Sequence, residues 1–260
     1  MTFHWRHALC VLVIPILGSA CDFDSEVAPR VELDVVVDSA GMVVFENAEG
    51  YTIELTHMRV AFENVEFTGG GEAHMAFLQP LRDVLVPTAY AHPGHYAGGE
   101  VVGEMNGRFV VDWLADDTSL GTATLLGADY NGANFVFTRA TAEDGLHPDD
   151  PLVGHTFEIA GTATKDGETW TFSAVVDEDE GRRVVGLPFD IDIDEGSDEV
   201  LGLQMLPVDP YEGDTAFDDL DFAALDEDGD FVVTIVEGIA EYNLLEKHLQ
   251  VHDHYAVTIE

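Results

Sequence analysis

Tyr51-Thr-Ile-Glu-Leu-Thr-His-Met-Arg-Val-Ala-Phe-Glu-Asn-Val-Glu-Phe67 alternates apolar and polar side chains through most of its length. A period of two marks a strand with one buried face, because successive side chains of an extended chain point to opposite sides. The stretch divides into Tyr51–Leu55, Met58–Phe62 and Val65–Phe67, and it stops at Gly69-Gly70-Gly71. The same pattern precedes it. Val31, Leu33, Val35 and Val37 share one face, with Val36 the exception. Further strands are expected near 107–114, 121–127, 133–139, 155–164, 168–177, 183–193, 200–208, 231–237 and 254–260. Asn131-Gly132, Asp166-Gly167 and Asp228-Gly229 supply turn chemistry between them. About ten short strands at this spacing predict an all-β protein. The expected form is an antiparallel β-sandwich, immunoglobulin-like or jelly-roll-like, with a distorted barrel as the other solution.

Two segments break the pattern and predict one or two short helices. Residues 74–86 carry Met75, Phe77, Leu78, Leu81, Val84 and Leu85 at helical spacing, interrupted by Pro80. Residues 238–249 carry Ile239, Tyr242, Leu245 and Leu249, an amphipathic pattern following Gly238. The run from Asp209-Pro210 to Asp230 reads as an acidic insertion.

The N-terminus reads as an export signal. His4, Arg6 and His7 precede an apolar run from Ala8 to Leu17, then Gly18-Ser19-Ala20-Cys21. The run has the length of a signal h-region and is short for a membrane span. The segment resembles the lipobox of bacterial lipoproteins, although Leu17 lies four residues before the cysteine rather than three. The resemblance implies acylation at Cys21; cleavage after Ala20 without a lipid is the alternative. The organisation expected is a signal peptide at 1–20, a lipidated tether at 21–30 and a β-sandwich domain at 31–260. The protein would then sit on the cell envelope, attached to the membrane at Cys21 and facing the periplasm or exterior.

Composition narrows the chemistry. The 260 residues hold 51 acids and 10 bases, a net charge of −41. Such a surface repels nucleic acid and attracts cations. The two cysteines are Cys10, inside the signal, and Cys21. The folded body therefore has no disulfide and no thiolate ligand, and a transition-metal site must use histidine, carboxylate, methionine or tyrosine.

Histidine is clustered. His92-Pro-Gly-His95 forms one group in a turn, and His252-Asp253-His254 the other, with His248 four residues earlier. In a strand, His252 and His254 would share a face and clamp a metal; His248 would join them at a helix-to-strand junction. Neutral imidazole suits Zn and Cu. His92, His95, His248, His252 and His254 are therefore the candidate ligands, with Asp253, Glu100 and Glu104 able to orient a ring. The acidic runs raise weak Ca binding. Asp190-Ile-Asp-Ile-Asp194-Glu-Gly196 has its glycine one place late for an EF-hand loop, and Asp226-Glu-Asp-Gly-Asp230 has it too early. A half-exposed strand explains the first and an Asp-Gly turn the second.

Enzyme signatures are absent: no nucleophile elbow, His-Glu-x-x-His, phosphate loop or dinucleotide fingerprint occurs. Trp113 and Trp170 lie within predicted strands and read as core residues. The segment from Tyr51 to Phe67, with Gly154-His-Thr-Phe-Glu-Ile-Ala-Gly161, resembles the β-sandwich exported proteins of the methanobactin-associated copper-binding group. That resemblance implies a periplasm-facing sandwich that binds copper through histidine and aromatic residues. It covers under a fifth of the chain, and the four cysteines of many relatives are missing. The resulting expectation is a non-enzymatic exported protein that binds a divalent transition metal, Cu or Zn. The alternative is a surface adhesion or structural module that binds protein or glycan.

Overall fold

The computed structural model describes residues 28–69 and 99–260. The signal, the tether as far as residue 27 with Cys21, the helix expected at 74–86, and His92 and His95 lie outside the described residues; the last residue expected in the tether, Arg30, opens the first strand. Strands run in the order β1 (Arg30–Asp38), β2 (Phe45–Glu46), β3 (Thr52–Gly69), β4 (Glu100–Asp112), β5 (Ser119–Leu126), β6 (Ala128–Phe137), β7 (Phe157–Lys165), β8 (Glu168–Val176), β9 (Arg183–Leu187), β10 (Ile191–Ile193), β11 (Leu201–Met205), β12 (Val232–Ile235) and β13 (Tyr255–Ile259). Among the described residues, two α-helices join them, the single turn α1 (Phe222–Leu225) and the longer α2 (Ala240–Leu249). Each stretch expected to be a strand contains one, and α2 falls where the amphipathic spacing places it. Its Tyr242, Leu245 and Leu249 are buried.

The all-β class stands, but the sheet is mixed. β1 pairs β11 in parallel, and β12 pairs β8 in parallel; the other ladders are antiparallel. The strands also form one connected sheet rather than two separate ones. Its path runs β12-β8-β7-β3-β4-β5-β1-β11-β13, with β6 joining β3 to β9 and β10. The sheet curls back on itself, because the Val257 N–H of β13 donates to the Pro188 carbonyl just beyond β9, at 3.0 Å. The ring β3-β4-β5-β1-β11-β13-β9-β6 is thus closed by a single backbone hydrogen bond. The strands β7, β8 and β12 extend from it as a wing.

β3 connects ring and wing. Its first half, Thr52–Val60, pairs with β7, and its second half pairs with β6 along the same edge, while β4 runs along the other edge from Arg59 to Gly69. The three apolar stretches read in its sequence differ in parity: odd positions are buried at Ile53, even ones at Met58, Val60 and Phe62, odd ones again at Val65 and Phe67. Two irregularities reconcile this. The ladder to β7 slips between Leu55 and His57, and the ladder to β4 slips between Glu63 and Val65. An extra residue in one strand reverses which face every later side chain occupies. At the second slip, Asn64 adopts φ 54°, a left-handed conformation that Asn tolerates better than most residues.

One apolar cluster fills both parts. In the ring, Phe62 stacks on Trp113 (centroids 6.3 Å apart) and meets Phe135 (5.1 Å), which meets Tyr255 edge-on (5.1 Å). In the wing, Phe172 packs on Phe222 (4.9 Å), and Tyr51 meets Phe222 and Trp170. Trp113 and Trp170 are both buried, as their strand positions suggest. The acidic stretch 209–230 is no appended insertion: it delivers Phe217, Leu220 and Phe222 to the core. Asn47 fastens it by donating to the Phe217 and Leu220 carbonyls, each at 3.0 Å.

The bulge makes a checkable demand on residue 64. Asn64 is exposed, and its Oδ1 accepts the Gly107 N–H at a long 3.4 Å, a bond that Asn64→Val and Asn64→Gly lose alike; the Val variant in addition forces a β-branched side chain into left-handed backbone. We expect a loss of about 1–2 kcal/mol in urea unfolding, with Asn64→Gly within a few tenths of wild type. Equal stability of the Val and Gly variants would refute the conformational argument.

Candidate functional site

The residues with the most suggestive arrangement lie where the chain leaves β11. Leu206–Thr215 forms a tight excursion, bridged at its base by Val208 and Thr215. Pro210 and Gly213 shape it, and Gly213 takes φ 78°. Asp209 is buried, 4% exposed, and organises the loop. Its Oδ1 accepts the N–H groups of Tyr211 (2.6 Å) and Glu212 (3.2 Å), and its carbonyl accepts Gly213 N–H (3.0 Å). These bonds fold Asp209, Glu212 and Asp214 toward a common point, and one carboxylate oxygen from each lies within 4.8 Å of the others. Asp214 Oδ1 is buried and has no hydrogen-bond partner.

The histidine turn stands directly beside this loop. His252–His254 is a 3-10 turn preceding β13, not the start of the strand. Residues two apart in such a turn do not share a face, so the strand geometry on which the expected clamp of His252 and His254 rests is not the one observed. The reason lies in the partners of His254. Its Nδ1–H donates to the Leu206 carbonyl (2.8 Å), and the Leu206 N–H donates back to the His254 carbonyl (2.8 Å). Burial holds the imidazole below the usual histidine range, against the pull of Leu206 and of Asp214 and Asp209 nearby. His252 Nε2 lies 3.3 Å from Asp253 Oδ1, and His248, near the end of α2, places Nε2 2.9 Å from Asp219 Oδ2. Each of the three rings thus has its own local partner. Among the described residues, no set of three close metal-ligating groups includes a histidine.

A second carboxylate group, Asp226, Asp228 and Asp230, is explained by its own loop. Asp226 Oδ1 accepts the N–H groups of Gly229 and Asp230, and Oδ2 accepts those of Phe231 and the Trp170 indole. The carboxylate there closes a turn and satisfies a buried tryptophan. The other acidic run contains the short strand β10, in which Ile193 is buried and Asp192 exposed, as a half-exposed strand requires.

The Asp209–Asp214 loop was not singled out by its sequence. Asp-Pro-Tyr-Glu-Gly-Asp matches no calcium loop, and its ligand spacing comes from backbone hydrogen bonds to Asp209 rather than from a helical or strand period. Comparison with known proteins finds no match: no family model fits the chain, and no curated protein or solved structure is detectably similar to it.

The buried imidazole gives a direct test. The unfolded chain takes up a proton on histidine near pH 6.5, whereas the folded ring resists it. Stability contributed by neutral His254 is therefore present above that pH and is lost as pH falls toward the lower folded value. The His254 ring resonances in a pH titration followed by NMR should show a midpoint below 6.5. A midpoint at or above it would contradict the burial argument.

Proposed function

We propose that this protein is a non-catalytic cation-binding protein of the cell envelope, and that Asp209, Glu212 and Asp214 hold a hard divalent cation, Ca²⁺ before others. The observation that carries this reading is Asp214 Oδ1, a buried carboxylate oxygen with no hydrogen-bond partner inside a group of three carboxylates. An unpaired buried carboxylate oxygen is costly, and a cation removes that cost. Three carboxylates, neighbouring carbonyls and water make the all-oxygen shell that Ca²⁺ takes at about 2.3–2.6 Å. The net charge of −41 favours cation accumulation at the surface. The signal-like sequence at 1–20 and the lipobox-like Cys21 support export and lipid anchoring.

This reading moves the cation from the imidazoles to the carboxylates. The Cu or Zn reading draws less support from the described residues, among which no group of three close ligating side chains includes a histidine; His92 and His95 lie outside them. The adhesion reading also has less support. Among the described residues, most of the exposed large apolar side chains are valines such as Val43, Val44 and Val101, with Tyr211 and Phe231 the exposed aromatics.

The test is a titration of the chelator-treated full chain by calorimetry and thermal melting. Ca²⁺ should raise the melting temperature in a concentration-dependent way, as any ligand selective for the folded state does. Asp214→Asn, which removes the charge and keeps the shape, should weaken binding by at least about tenfold, since it removes one of the few charged ligands. No shift with millimolar Ca²⁺ would sink the proposal, as would a shift that Asp214→Asn leaves intact. Tight Zn²⁺ or Cu²⁺ binding lost in His252→Ala with His254→Ala, but kept in Asp214→Asn, would replace it with the imidazole reading.

A further inference from the structure

Among the described residues with a buried, unpartnered carboxylate oxygen (Glu178, Glu199, Asp214 and Asp253), Glu178 has both of its oxygens in that state. It follows β8 by two residues, and its own N–H donates to Thr156 Oγ1 at 3.1 Å. The residue is 2% exposed, and neither carboxylate oxygen has a hydrogen-bond partner. Its surroundings are mostly unfavourable to charge. From α2 it meets Glu246, and from the residue after α2, Gln250. From its own loop it meets Asp179 and Arg182, and from the start of β13 the fully enclosed Tyr255. Arg182 is the one cation in this set, and its guanidinium donates to the Gln250 side-chain carbonyl. Gln250 and Arg182 favour the ionised form of Glu178 without satisfying either oxygen; burial and Glu246 oppose it and prevail. The carboxyl is pushed up to about 8, and Glu246 is itself raised, by burial first and then by Asp179.

The same place holds α2 and β13 together. The Tyr255 hydroxyl donates to the Leu249 carbonyl at 2.8 Å, and the Tyr242 hydroxyl accepts the Asp177 N–H at 2.9 Å. Beyond Tyr255 runs the strand whose Val257 closes the ring. We propose that Glu178 is a pH-sensitive latch: in its neutral form it lies under α2, and its ionisation against Glu246 loosens α2 and the closing strand β13.

The direction follows from linkage. The folded carboxyl gives up its proton near pH 8 and an exposed one near 4.5, so between these values the closed form binds more protons than the open form. Raising pH through that window therefore favours opening, and the effect levels off above it. Other surface acids repel one another more as pH rises, but that background is shared by a variant that lacks only this carboxyl.

Hydrogen exchange of the full chain, expressed as protection factors, reads the opening of α2 and β13. Between pH 6 and pH 8, protection there should fall by about tenfold or more in wild type relative to Glu178→Gln, which keeps the side-chain shape without the charge. Parallel pH dependence in the two proteins would overturn the latch. So would a slope abolished by Glu246→Gln and kept by Glu178→Gln. The wild-type Glu178 carboxyl ¹³C shift gives a second reading that needs no variant. A midpoint well above the ordinary glutamate range supports the proposal, and one below pH 5.5 refutes it.

Discussion

The fold depends on one strand reversing its buried face twice. β3 is 18 residues long, and a regular strand of that length would present one unbroken stripe of side chains to one side. Here each end serves a different part of the core. Ile53 packs in the wing, while Phe62 and Phe67 pack in the ring, and the slips at Leu55/His57 and Glu63/Val65 bring each set inward. The change of partner from β7 to β6 falls between them, where Ala61 N–H donates to Thr156 and Thr138 N–H donates to Ala61. Without those slips, half of the apolar side chains would face water, and ring and wing could not share a backbone.

With no cysteine in the folded body, cohesion rests on packing. The aromatic contacts around Phe62, Phe135 and Tyr255 and those around Tyr51, Phe172 and Phe222 are the densest parts of the two regions. The scarce cations are placed where they join separate segments. Arg59 bridges Asp150 and Glu158, Arg108 reaches Glu63 and Asp144, and Arg183 pairs with Glu66. Arg59 and its partners are mostly shielded from solvent, where screening weakens an ion pair less than at an open surface.

Local pattern made the strands, α2 and the two tryptophans legible, because burial imposes a period on the residues themselves. The mixed pairing was not legible. Whether β1 meets β11 in parallel is decided by chain path, and the alternation of Val31, Leu33, Val35 and Val37 is the same for either direction. The single connected sheet was hidden for the same reason. At the candidate site, the spacing of His252 and His254 invited a strand, yet Leu206 supplies paired hydrogen bonds that make a 3-10 turn the better solution. Asp209, Glu212 and Asp214 went unnoticed because no period brings them together. Their convergence is a product of one buried side chain that accepts two backbone donors.

Closure of the ring by Val257 and Pro188 bears on how the chain must be made. The closing strand follows every other described strand in chain order, and β1 waits for a partner far downstream: Asp38 meets Gln204 across 166 residues. Contacts of such long range form slowly, since a large loop must be ordered before they yield any gain. Neighbours such as β7 and β8 can pair as soon as they are synthesised, but one edge of β1 stays open until β11 has been made. A nascent chain of this topology therefore spends its synthesis only partly folded, with its acidic surface to hold copies apart in the interval.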